Sequence, residues 1–157
     1  MSITFEKVLI LKNIPMFENA SEMALSDLIS SAEEKTFKVG DVLLDNQKEN
    51  TALFIVLSGK AQAVLGDDVV LEFGPRQFFG ETTVLSPAVL PYQVKAVEST
   101  CVLKISGHRL YQVMSLHPSI AKGFIGELSR RLRWFTCFFF FWIYLKNKVW
   151  FFIKKNL

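Results

Sequence analysis

Histidine and cysteine are scarce in this chain of 157 residues, with two of each, and each scarcity removes a class of function. Cys101 and Cys137 stand at no metal-like spacing and are too few for a disulfide scaffold, which points to a reducing, cytoplasmic compartment. The only histidines are His108 and His117, so residues 1–107 contain none. A metal-dependent enzyme built on β-strands would need a His-x-His type cluster within them, so neither a metal site nor a catalytic group is expected. His108, at a helix start, and His117, before a proline, read as surface or capping residues. Glu6 and Lys7 precede any long apolar run, so no secretory signal is expected. The length suits one ordinary domain with its own core.

Acidic residues are also missing from one end. None follows Glu127, whereas Arg130, Arg131, Arg133, Lys146, Lys148, Lys154 and Lys155 are all basic. The first 129 residues then hold eleven basic against fifteen acidic side chains, a net charge of about −4. A mildly acidic globular part has no electrostatic footprint for nucleic acid, and direct DNA binding is not expected.

Periodicity changes twice along the chain. Ser21 stands as a cap before Glu22-Met23-Ala24-Leu25 and Leu28-Ile29, an apolar spacing of helical type. From Thr36 to Ile105 short β runs are divided by Gly40, Ser58-Gly59, Gly66-Asp67-Asp68 and Gly74-Pro75. Ser106 caps a second helix through Leu110 and Val113-Met114, and Pro118 suits the first turn of a third, with Ile120, Phe124, Leu128 and Leu132 on one stripe. This order predicts an α+β fold: an antiparallel β-roll (a double-stranded β-helix, jelly-roll-like) or barrel flanked by N- and C-terminal helices, with a short helix starting near Gly80. Lys60, Arg76, Lys95 and Lys104 are scattered and read as solvated strand faces.

The segment Phe79-Gly80-Glu81-Thr82-Thr83-Val84-Leu85, followed after a loop by Gln93-Val94-Lys95-Ala96-Val97, resembles the phosphate-binding cassette of the cyclic nucleotide-binding domain family. Leu11 to Phe17, Phe37 to Leu43, Ala52 to Lys60 and Phe73-Gly74-Pro75 resemble other parts of the family in the right order, so the resemblance covers roughly residues 5 to 133. It implies a pocket for cyclic AMP or cyclic GMP, formed by Phe79, Gly80, Glu81, Thr82, Leu90, Pro91, Tyr92 and Gln93, with no other cofactor. In that reading Gly80 lets the backbone approach the ligand, the helix start offers N–H groups to the phosphate, and Glu81 accepts from the ribose 2′-hydroxyl. The family also places an arginine on the phosphate, followed by a small residue that donates its N–H. One register puts Leu90 and Pro91 there and the other puts Tyr92 at the arginine; neither supplies a cation, and proline has no N–H. Gln47 and Asn50 stand where glycines are usual, which puts the geometry of that turn in question.

Residues 1–133 are therefore read as a cyclic nucleotide-binding-like domain and residues 134–157 as an aromatic, basic tail. From Trp134 to Leu145 the tail is apolar or nearly so, Lys146-Asn147-Lys148 interrupts, and Val149 to Ile153 resumes. Such a run is short of the ~20 apolar residues of a bilayer span. It reads as a continuation of the third helix, as a membrane-interface anchor, or as non-native sequence from a frameshift or read-through of A/T-rich DNA. The functional expectation is a non-catalytic regulatory module with weak or no binding of cyclic nucleotide. The alternative is a ligand-free protein-interaction or membrane-targeting domain that retains the fold. A protein partner or a homo-oligomer is expected in either case. The resemblance implies that Pro118 to Arg133 is the lid that closes over a bound base.

Overall fold

The structure, a computed structural model, describes residues 3–155, and the side-chain environments of residues 5–144. The chain opens with helix α1 (Ile3–Lys12), which the sequence pattern did not predict because its apolar residues do not gather on one face. A single 3₁₀ turn at Pro15–Phe17 buries Met16 and Phe17, and helix α2 (Glu22–Ser30) follows. Ser21 caps α2 as predicted, its hydroxyl accepting from the Ala24 N–H at 3.1 Å.

Eight strands come next: β1 (Glu33–Phe37), β2 (Val42–Leu44), β3 (Ala52–Ser58), β4 (Ala61–Leu65), β5 (Asp68–Phe73), β6 (Phe78–Phe79), β7 (Gln93–Ala96) and β8 (Thr100–Ser106). They form two four-stranded sheets, in the orders β1-β8-β3-β6 and β2-β7-β4-β5. Every strand pairing is antiparallel. This is the β-roll expected from the sequence, beginning at Glu33 and interrupted by the short helix α3 (Glu81–Leu85). Helix α4 (Gly107–Leu116) and the long helix α5 (Pro118–Lys155) close the described chain.

The apolar run of β3 has a simple cause: both its faces are buried. Leu53 and Ile55 join Leu103 and Ile105 of β8 in a core shared with the helices, where Leu11, Ile14, Phe17, Leu25, Leu110, Ile120 and Phe124 also lie. Phe54 and Val56 point the other way, into the roll, and meet Ala61, Ala63, Phe79, Val94 and Val102. The roll interior is thus filled with side chains.

Helix α4 starts as predicted, with the Ser106 hydroxyl accepting from the Arg109 N–H at 3.5 Å. It ends at His117, whose Nε2 lies 2.6 Å from Asp27 Oδ2 and ties this corner to α2. Helix α5 then crosses the 3₁₀ turn at Gly123. A Cβ there would stand 1.8 Å from the Met16 carbonyl oxygen, so only glycine allows the approach. The predicted stripe is partly corrected: Ile120 and Phe124 are buried and Leu128 is half-buried, but Leu132 is 64% exposed. Strict four-residue spacing drifts off the face of a helix with 3.6 residues per turn. The buried face continues instead through Glu127. The helix runs without interruption into the tail, so helix continuation is the observed backbone of residues 134–155, while the side chains beyond Tyr144, including Lys146, Lys148, Lys154 and Lys155, lie outside the described residues.

Two stability measurements check this architecture. Gly123→Ala should lower the free energy of unfolding in urea by about 1–3 kcal/mol, because the Met16 turn and α5 must separate. Removing residues 134–157 should change it by less than about 0.5 kcal/mol, since the large aromatic side chains from Trp134 to Phe141 are exposed. A large loss on truncation would show that the aromatic tail completes the fold.

Candidate ligand site and its lid

Residue Gly80 ends the short β6 strand and caps α3 with φ of +83°, in the left-handed region that favours glycine. A Cβ at this position would meet the Ala52 carbonyl oxygen at 2.4 Å. The fold itself therefore demands this glycine, whatever its part in binding. The pairing of β6 with β3 sends its two aromatic rings to opposite sides. Phe79 enters the roll, stacked on Phe54 with centroids 5.0 Å apart and tilted against Phe73 at 4.8 Å. Phe78 faces the helices.

Of the predicted site residues, Phe79, Gly80 and Glu81 are buried together at the start of α3. Thr82 is exposed on its outer side, and Thr83, not singled out from the sequence, is the buried threonine. Asn50 explains how the preceding turn survives without its usual glycine. Its side-chain amide donates to the Ala52 carbonyl at 2.9 Å and to the Thr83 hydroxyl at 2.6 Å, and its backbone N–H donates to Ala88 at 3.1 Å. Gln47 is held by its N–H donating to the Asp45 carboxylate at 2.9 Å. Neither residue has a positive φ, so this turn does not require a glycine at either position.

In the loop, Leu90 and Tyr92 are half-buried against the roll core, Pro91 is exposed, and Gln93 begins β7. The basic residues nearby belong to other elements. Lys95 alternates away from Val94 and Ala96, which face the roll interior. Arg76 lies in the exposed β5–β6 turn with φ of +69°, and Lys60 lies in the β3–β4 turn, so these two are turn residues and not strand faces as the sequence suggested.

The cation at the cassette comes from α5, and the sequence reading missed it. Arg131 Nη1 donates to Glu81 Oε1 at 2.5 Å, and its Nε donates to Glu127 Oε1 at 2.9 Å. The guanidinium carbon also sits 4.5 Å from the centroid of the Phe78 ring, a cation–π contact. Glu81 is 7% exposed and Glu127 5%, so Arg131 joins two buried carboxylates from different elements. Arg130 adds a fork to Glu127, with bonds of 2.6 and 2.8 Å. Burial pushes the Glu127 carboxyl up, but bonds and charges from Arg130 and Arg131 outweigh it and hold it below the usual glutamate range. Burial pushes the Tyr92 phenol up and the Glu81 charge adds to this, while Arg131 opposes it, which places Tyr92 in the same electrostatic environment. The available sequence signal was the four-residue spacing of Glu127 and Arg131, which makes them neighbours on a helix surface. Their phase relative to Ile120 and Phe124 puts both on the inward side.

A model of the family described as "Cyclic nucleotide-binding domain" matches residues 34–117. The chain belongs to the cyclic nucleotide-binding domain family. It is 28% identical over 129 residues to the potassium channel KAT1 of Arabidopsis thaliana, covering 79% of this chain and 19% of the channel. It is 27% identical over 124 residues to a cAMP-dependent protein kinase regulatory subunit of Hypocrea atroviridis, covering 79% of this chain and 25% of that protein. The chain thus spans a quarter or less of either relative. Its fold is similar to the sensor domain of the transcriptional regulator DNR from Pseudomonas aeruginosa, with a TM-score of 0.71 at 17% identity, covering 84% of this chain and 92% of the other. Gly80 and Glu81 lie at the start of α3 within the matched residues, and Arg131 reaches Glu81 from α5.

The Glu127 shift has a pH consequence. A carboxyl held low in the folded chain contributes stability that is fully present above its unfolded value and is lost as pH falls through its lower folded value. Melting followed from pH 7 down to about pH 3 should fall steeply below the ordinary glutamate value of ~4.3. Glu127→Gln should be less stable at pH 7 and show a shallower acid decline. Parallel decline in both proteins would show that the Arg130 and Arg131 contacts contribute nothing.

Proposed function

We propose that this chain is a non-catalytic regulatory module of the cyclic nucleotide-binding type in which the lid helix satisfies the cassette carboxylate, and in which cyclic AMP and cyclic GMP bind weakly or not at all. The observation that carries this reading is the Arg131–Glu81 pair. Glu81 is the residue that the family resemblance assigns to the ribose, and here it is already engaged by a guanidinium. The loop that would hold the phosphate has Leu90, Pro91 and Tyr92 and contributes no positive charge. A phosphate entering there would give up water without gaining a charge partner. Losing one member of a buried, hydrogen-bonded charge pair costs about 2–5 kcal/mol, or roughly 30- to 5,000-fold in affinity.

Five of the site residues have a structural role in this reading. Gly80 shapes the cap, Glu81 anchors α5, and Phe79, Leu90 and Tyr92 fill the space over the roll core. The relatives include a channel and a kinase regulatory subunit, which supports a protein as the regulated partner. A ligand-free interaction domain is the variant of the same reading in which the pocket has lost its chemistry altogether.

Isothermal titration with cyclic AMP and cyclic GMP tests the proposal. The unmodified chain should bind at best far above micromolar concentration, and Leu90→Arg with Pro91→Ala should create or strengthen binding. Glu81→Ala on that background should weaken it again. Arg131→Gln should lower stability by about 1–3 kcal/mol by leaving Glu81 unpaired, without reducing nucleotide binding. Micromolar or tighter binding by the unmodified chain would overturn the reading, and its loss in Arg131→Gln would identify Arg131 as the phosphate clamp.

A further inference from the structure

We propose that the C-terminal part of α5 docks on an anionic lipid bilayer, lying along its interface and carrying the regulatory domain to the membrane surface. Beyond Arg131 the helix leaves the roll, and the large side chains from Trp134 to Phe141 are exposed. Trp134, Phe135, Phe138, Phe139, Phe140 and Phe141 are between 51% and 77% exposed. At about 100° per residue, four consecutive phenylalanines point in four directions around the helix. Apolar surface this wide exceeds the single narrow seam of a paired coiled coil, and an interfacial helix buries most of such a surface in the headgroup and acyl boundary. This pattern favours lipid over a second copy of the chain.

Charge selects the kind of lipid. The tail carries no acidic residue, and basic residues lie on both sides of the aromatic run: Arg133 before it, Lys146 and Lys148 after it. The first 129 residues are mildly acidic, with fifteen acidic against eleven basic side chains, so attraction to an anionic surface must come from the tail. Among the described residues no helix is long and apolar enough to cross a membrane. Residues 134–145 rise only about 18 Å, against ~30 Å of hydrocarbon. With cations at both ends, the segment is held parallel to the interface, where tryptophan and phenylalanine rings are favoured.

The three tryptophans of the chain, Trp134, Trp142 and Trp150, all lie in this segment, so their emission reports on it alone. The full chain should be mixed with vesicles of phosphatidylcholine alone or of phosphatidylcholine with phosphatidylserine. Co-sedimentation and a blue shift of tryptophan emission should appear with the anionic vesicles, weaken with salt, and be accompanied by quenching from brominated acyl chains. Lys146→Glu with Lys148→Glu should weaken binding to anionic vesicles roughly tenfold or more. Phe138→Ser, Phe139→Ser, Phe140→Ser and Phe141→Ser together should abolish it while the domain melts as before, since these side chains are exposed. Emission unchanged by either vesicle, or already blue-shifted without vesicles in a dimer seen by analytical ultracentrifugation, would overturn the proposal; the dimer would name a second copy as the occupant.

Discussion

Two carboxylates buried on different elements share one guanidinium, and the relation between the cassette and the last helix depends on it. Glu81 and Glu127 have each lost nearly all contact with water, which is unfavourable for a charge without a partner. Arg131 bonds to both, and Arg130 takes the remaining capacity of Glu127. Apolar contact through Ile120 and Phe124 would hold α5 against the domain, but such contact is weakly directional. The ion pairs fix the rotation of the helix as well, because only one face presents Glu127 and Arg131 to α3. Moving α5 away strips Glu81 of its cation, and drawing Glu81 toward another group loosens α5. Coupling of this kind is reciprocal by necessity.

The roll makes that shared site possible by burying both faces of its central strands. With Phe54 pointing inward and Ile55 outward, β3 separates the roll interior from the helical layer, and β6 repeats the division with Phe79 and Phe78. Phe78 thereby provides the ring on which Arg131 rests, while Phe79 closes the interior beneath the cassette. The Gly80 cap turns the chain sharply between these rings and α3. Asn50 then pins α3 from the other side through Thr83. Glu81 is thus delivered to α5 by a short segment held at both ends.

What the sequence made legible was local or periodic. Ser21, Ser106 and Pro118 mark helix starts through the chemistry of their own side chains, and the glycines dividing the β runs mark the roll. Helix α1 was missed because Ile3–Lys12 is mixed in pattern and gains its helical state from packing Val8 and Leu11 on the core. Arg131 was missed because its meaning is tertiary: fifty positions separate it from Glu81, and its helical phase marks only that it faces inward, not which residue it meets. A four-residue stripe also led to Leu132, one position beyond the residue that faces inward. Lys95 and Arg76 were the cations closest in sequence to the cassette, but strand alternation turns Lys95 from the roll interior, and Arg76 lies in a turn, lining a cleft with Phe78, Glu127 and Arg131.

On the proposed reading, placing the cation on the lid reverses the order of events in a phosphate-binding cassette. Where an arginine belongs to the loop, the incoming phosphate meets a charge already in the pocket, and the helix can close afterwards as a separate step. Here the closed helix is itself the neutralised state, because Arg131 satisfies Glu81 before any ligand arrives. A ribose hydroxyl could replace the guanidinium as partner of Glu81 only by exchanging a charged hydrogen bond for a neutral one, which is the weaker interaction. An anion that recruited Arg131 instead would leave Glu81 buried without its counter-charge. Either exchange favours release of α5 over its closure, so a signal acting at this site would be read as loss of the lid contact.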